Sequence, residues 1–191
     1  MTVTMTQELE QQIRNVFSTT ASMDRIYLFH EIPARKLGNA KSRYARILGS
    51  DEVVIALYDD TVWGSGKDGF LLTNRRIYGR NIADSAAFVE IQSITDVTQG
   101  GSSAAPLLQV YSGMAAPAFE KQMIMTSPNN QAGAIIDAVR QTVLLLNPGL
   151  AGPEPTPTAQ PSPTAEKARC SGCGATGQVG TKCKWCRSVI V

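Results

Sequence analysis

An α+β fold is what this 191-residue chain predicts, and three observations predict it. Apolar residues before residue 49 recur at the helical period. From Gly49 onward they recur every second residue, in short runs separated by Gly- and Pro-containing turns. One long apolar stretch then closes the segment and stops at "NPG", residues 147–149. Strands grouped together, instead of alternating with helices, indicate antiparallel pairing in a sandwich or small barrel.

The first helix rests on Leu9, Ile13, Val16 and Phe17, spaced i, i+4, i+7 and i+8, with Thr6 or Thr4 placed to cap its start. A second is expected in "IPARKLGNAKSRYARIL". Pro33 suits a first turn, and Leu37, Ala40, Tyr44 and Ile47 form one apolar stripe. The other face of this helix carries Arg35, Lys36, Lys41, Arg43 and Arg46, either a solvated surface or a docking surface for an acidic partner. "DEVVIALYDD" reads as a strand, "TVWGSGKDG" as a glycine-rich turn, and "FLLTNRRIYGRN" as a hairpin turning near Asn74 and Arg75. "AAFVEIQSITDVTQG", "LLQVYSG" and "FEKQMIMTS" read as further strands. The closing helix is expected to start at Ser127 and Pro128. It carries Ile135, Val139 and Leu146 on one stripe and Ile136, Val143, Leu144 and Leu145 beside it, so it should be heavily buried, plugging the open end of the barrel.

Beyond the helix, "LAGPEPTPTAQPSPTAEKAR" holds five prolines between 153 and 163 among small polar residues. Such a segment builds no core and favours extended polyproline II, spanning as much as ~55 Å at about 3.1 Å per residue. The expected organisation is therefore a helical segment over 1–48, a barrel with its capping helix over 49–149, a linker over 150–168 and a tethered tail over 169–191.

That tail holds all four cysteines. Cys170 and Cys173 form one CxxC, Cys183 and Cys186 the other, with nine residues between them. Each CxxC turn puts two sulfurs on one side of a tight knuckle, and two facing knuckles make a closed tetrahedral thiolate site for a structural Zn2+. Gly174 suits the backbone of the first knuckle, Arg187 takes the same place in the second, and Gly177 and Gly180 allow a hairpin between the pairs. Val179, Trp185, Val189 and Ile190 are too few to fold the tail by burial, so metal binding supplies its folding energy. Two disulfides are the structural alternative. A redox dithiol is the catalytic one, and it lacks its βαβ context here. The tail is similar to short bacterial zinc ribbons, which implies a protein-contact module that in some cases touches nucleic acid.

"GKDGFLLTNRRIYGRN" followed by "VEIQSITDV" resembles bacterial pleckstrin-homology-like domains of the YokE and GRAM-related type, over residues 49–147. The resemblance implies a partly open antiparallel barrel capped by a helix, and binding rather than catalysis. It also raises a headgroup site from Lys67, Arg75, Arg76 and Arg80. Asp59, Asp60 and Asp68 in the same strands and loops oppose a polyanion, and adjacent Arg75 and Arg76 point to opposite faces of a strand.

Composition excludes more than it assigns. With 18 Lys and Arg against 16 Asp and Glu the net charge is +2, which gives no whole-protein case for nucleic acid or an anionic membrane. No apolar run reaches the roughly 20 residues of a membrane span, and "MTVTMTQELEQQIRNVF" lacks the features of a secretory signal, so a cytoplasmic location is expected. The single histidine, His30, has no visible catalytic partners, Asp59 and Asp60 are split by strand geometry, and "GSGKDG" has the wrong spacing for a phosphate loop. The sum is a non-enzymatic adaptor with no small-molecule substrate: a protein partner docks on the barrel or the basic helix, and the ribbon is tethered beside it. The competing readings are nucleic acid on the ribbon's basic residues and Trp185, or a phospholipid surface on the barrel.

Overall fold

The computed structural model describes residues 4–20, 25–61, 63–81, 85–102, 105–113, 115–123, 131–150, 167–169 and 176–178. The chain divides into two units, Met1–Ala151 and Gly152–Val191.

In the first unit α1 spans Gln7–Val16, capped as expected by the Thr6 hydroxyl, which accepts from the Leu9 amide at 3.2 Å. A short strand β1 (Ile26–Leu28) precedes α2 (Ala34–Arg43). Strands β2 (Val54–Asp59), β3 (Gly69–Thr73), β4 (Arg76–Arg80) and β5 (Ala87–Glu90) follow, then β6 (Asp96–Ser102), β7 (Ala105–Tyr111) and β8 (Phe119–Gln122), and finally α3 (Gln131–Leu146). The expected cap at Ser127 and Pro128 lies outside the described residues.

The strands do not close into one barrel. β1 to β5 form a five-stranded antiparallel meander and β6 to β8 a separate three-stranded one. The break falls inside "AAFVEIQSITDVTQG", which reads as one strand by its period. A 3-10 turn at Ile91–Ser93 ends β5 and sends the chain into the second sheet. Asn147 and Gln92 fasten this turn to the end of α3: the Asn147 amide donates to the Ile91 carbonyl at 3.1 Å, and the Gln92 amide to the Leu146 carbonyl at 3.1 Å.

Both faces of the larger sheet are covered. Alternation sends Tyr58, Phe70, Leu72, Ile77 and Val89 into a core shared with α1, α3 and the second sheet. Leu57, Leu71 and Tyr78 point the other way, beneath Ala40 and Tyr44 of the α2 region. Burial on both sides is why "VVIALY" and "FLLT" read as unbroken apolar runs. The second sheet buries one face only: Pro106, Leu108 and Val110 of β7 are buried and alternate with half-exposed residues. Gly79 of β4 lets the two sheets meet, because a Cβ there would lie 2.5 Å from the Phe119 ring of β8. The closing helix is as buried as its composition predicts. Even Thr142 is inside, its hydroxyl donating to the Ala138 carbonyl.

The N-terminal helices pack on different surfaces. Ile13 and Phe17 join the core beside α3, whereas α2 lies on the outer face of the sheet. α2 also stops earlier than its stripe suggests. Tyr44 leaves helical geometry (φ −134°), so Ile47 swings out of line and is 53% exposed.

In the second unit, β9 (Lys167–Arg169) pairs antiparallel with β10 (Thr176–Gln178), with Arg169 opposite Thr176. Gly177 is a strand residue, paired with Ala168, and Gly180 lies outside the described residues. Residues 170–175, which include Cys170 and Cys173, and residues 179–191, which include Cys183, Trp185 and Cys186, lie outside the described residues.

Candidate functional site

Charged side chains inside the first unit are consumed by one another. Asp59, the last residue of β2, and Asp60, just beyond it, diverge as extended backbone requires. Asp59 accepts from the Lys36 ammonium at 2.5 Å and from the Thr61 hydroxyl at 2.6 Å. Burial by itself would raise its carboxyl pKa, but Lys36, Thr61 and the Gly66 amide hold it below the ordinary value. Asp60 faces the other way and pairs with Lys121 of β8, and it also accepts from the Tyr58 hydroxyl at 3.2 Å. Burial and the neighbouring Asp60 push that phenol up. Glu52 gathers the Arg76 guanidinium (2.7 Å), the Thr73 hydroxyl (2.8 Å) and the Tyr78 hydroxyl (2.8 Å). Burial and Glu52 together push Tyr78 to about 12 against the opposing pull of Arg76.

The four residues weighed for a phosphate headgroup do not converge. Arg75 pairs with Asp51 at 2.7 Å, Arg76 with Glu52 and Glu90, and Arg80 with Asp68 at 2.9 Å, while Lys67 is exposed on the glycine-rich loop. That loop carries Trp63, 90% exposed, and wraps over α2, where a Cβ at Gly66 would strike the Lys36 backbone at 2.9 Å. His30 is exposed. Its Nδ1 lies 3.4 Å from Arg14, which is itself held by Glu10 and Glu31. Among the described residues no three His, Cys, Asp or Glu side chains gather as metal ligands.

A groove of about 360 Å3 opens where α2 ends and β5 begins. α2 covers the outer face of the sheet but stops at Arg43, so the last strand is left bare on that side. Phe88 stands opposite Tyr78 in the register and shares its outward face, yet it is 46% exposed. Arg43, Arg46 and Ile47 form one wall, Arg80 and Phe88 the other, and buried Tyr44 lies between them. Arg46 donates through Nε to the Ser42 carbonyl. Neither Arg43 nor Arg46 has a carboxylate partner among the described residues. The Tyr44 hydroxyl is buried with no hydrogen-bond partner among them, and burial with Asp59 and Asp68 nearby pushes its pKa far up. The arrangement offers two uncommitted guanidiniums beside an apolar lip, which suits recognition of an anion that brings apolar surface with it.

Of the basic face expected on the second helix, Arg43 and Arg46 reach this groove. Lys36 does not; it is committed to Asp59 and lies 4.8 Å over the Tyr27 ring. The second wall was not legible, because "AAFVE" reads as an ordinary strand and only three dimensions show its outer face uncovered.

No family model matches the chain, and no curated protein matches it. Among solved structures, a DUF1696 family protein with a pleckstrin-homology domain from Shewanella loihica PV-4 is similar at a TM-score of 0.36 and 15% identity, over 62% of this chain and 94% of that one. No helix among the described residues is long and apolar enough to cross a membrane.

Proposed function

We propose that this is a non-enzymatic adaptor protein of the cytoplasm, in which a pleckstrin-homology-like first unit docks a protein and a proline-rich tether carries a zinc ribbon. The groove between α2 and β5 supports the docking reading: it presents cationic and apolar groups that the fold itself leaves unused. The hairpin carrying "GFLLTNRRIY" and the buried helix after the second sheet support the pleckstrin-homology-like assignment. The pairing of acids with bases throughout the interior supports binding over catalysis, since a general acid or base needs an uncommitted proton site facing substrate.

For the tail, Cys170, Cys173, Cys183 and Cys186 would hold a structural Zn2+. The donor set fits: two CxxC pairs at this spacing supply four thiolates, and the β9–β10 pairing brackets the first pair as a knuckle requires. The ion would supply folding energy to the ribbon, with four thiolates closing its coordination. Tethering this second module to the first raises the effective concentration of one partner near the other.

The test is site-specific photocrosslinking in the native host. A benzophenone amino acid at Ile47, on the groove, should capture a protein that the same group at exposed Gln12 on α1 does not. Equal capture at both positions would remove the groove from the account.

A further inference from the structure

We propose that the groove takes an acidic peptide segment of a partner protein, one large apolar side chain flanked by carboxylates, lying along β5. The inference rests on the docking reading above and names the chemistry of what docks. β5 is the last strand of its sheet, hydrogen-bonded to β4, and its first two residues, Ala87 and Phe88, line the groove. An extended peptide is the ligand shape that a strand-lined groove accommodates. The volume of about 360 Å3 lies at the small end of ligand sites, which suits one anchoring side chain and not a large cofactor.

Charge selects among anions. Arg80 is neutralised by Asp68, and Arg76, whose guanidinium lies 5.6 Å over the Phe88 ring, is held by Glu52 and Glu90. Among the described residues, the groove cations without a carboxylate partner are Arg43 and Arg46, three residues apart at the end of α2. Two planar forks at that spacing match two separate carboxylates, each able to accept bidentately. A polyphosphorylated headgroup asks for more cations converging on one point. A nucleobase asks for a free aromatic face, and Phe88 already carries Arg76 on its ring. Exposed Ile47 and Phe88 meet the apolar side chain.

The experiment titrates 15N-labelled full-length protein with the synthetic peptide EEDLFEEG, with KKKLFKKG as control. Amide shifts should cluster at Arg43, Ile47, Ala87 and Phe88 with the acidic peptide and be absent with the basic one. R43E/R46E should weaken binding tenfold or more, since each lost charge-assisted contact accounts for about that factor. Both side chains are exposed and hold no carboxylate among the described residues, and the variant's unperturbed spectrum elsewhere verifies its fold. Phe88→Ser should weaken binding while leaving its salt dependence unchanged. Vesicles of phosphatidylcholine and phosphatidylserine form a second arm. Shifts from vesicles that R43E/R46E abolishes, with none from the peptide, would overturn the proposal in favour of a lipid surface. If the peptide is silent while Ile47 still crosslinks to a protein in the host, the peptide chemistry fails and the docking reading stands. If both are silent, both fail.

Discussion

Lys121 of β8 and Asp60 beyond β2, sixty-one residues apart, meet as an ion pair with both side chains essentially excluded from solvent, 1% and 0% exposed. Lys121 also donates to the Gln122 carbonyl at 2.7 Å, and Asp60 accepts from Tyr58, so neither charge is left short of hydrogen bonds. The pair links the two sheets inside the core. Removing one partner strands the other, and Asp60→Asn or Lys121→Met should each cost about 3–5 kcal/mol in urea unfolding. The double variant D60L/K121M should cost less than either single change. A single variant within 1 kcal/mol of the parent would mean that the pair is not isolated from water.

Asp59 makes the stability of the first unit depend on acid. Its folded carboxyl titrates below the ordinary 3.8, so the unfolded chain binds that proton first as pH falls. The stabilisation is therefore present in full above the unfolded value and is lost as pH drops through the folded one. Asp59→Asn should be less stable than the parent at neutral pH, and the gap between them should shrink below about pH 4. Unfolding free energies measured between pH 2 and 7 would decide the point, and a pH-independent gap would refute it. Lys36→Met should move the loss to higher pH by removing the cation that holds the carboxylate.

Gly79 is a spacing residue between sheets. Gly79→Ala places a methyl group 2.5 Å from the tip of the Phe119 ring and should cost about 1–3 kcal/mol. Phe119→Leu removes that tip, so G79A/F119L should cost less than the sum of the two single changes. Strict additivity would show that the clash is relieved by other movements.

Metal removal should act on the tail alone. Full-length protein should purify with a single zinc ion, C170S/C173S with none, and a chelator should abolish the tail's dispersed amide signals. The melting of the first unit should be unchanged by the chelator, since the ligand set lies wholly outside it. Disulfides instead of metal would appear as loss of four thiols in mass spectrometry with no zinc.

Elements governed by local pattern were legible in the chain. α1, the hairpin at Asn74 and Arg75, and the buried α3 all follow from spacing, caps and turn residues. What escaped depends on distant partners. β1 is only three residues long and exists because β2 pairs with it. The break at Ile91 leaves the period-two pattern intact, because it reflects where the second sheet begins. The pairing of Lys121 with Asp60 leaves no trace in either neighbourhood. At the groove, Arg43 and Arg46 were visible as a basic helical face. The exposure of Ile47 and Phe88 follows from where α2 ends, which its apolar stripe overstates.

The most direct test of the central claim, two binding modules on one chain, is affinity purification from the native host. Full-length protein would be compared with R43E/R46E and with a chain ending at Ala151, and protein, nucleic acid and lipid would all be analysed. The account predicts one protein partner lost in R43E/R46E and a second, different one lost on truncation. The same partners on all three baits, or nucleic acid as the only loss on truncation, would contradict it.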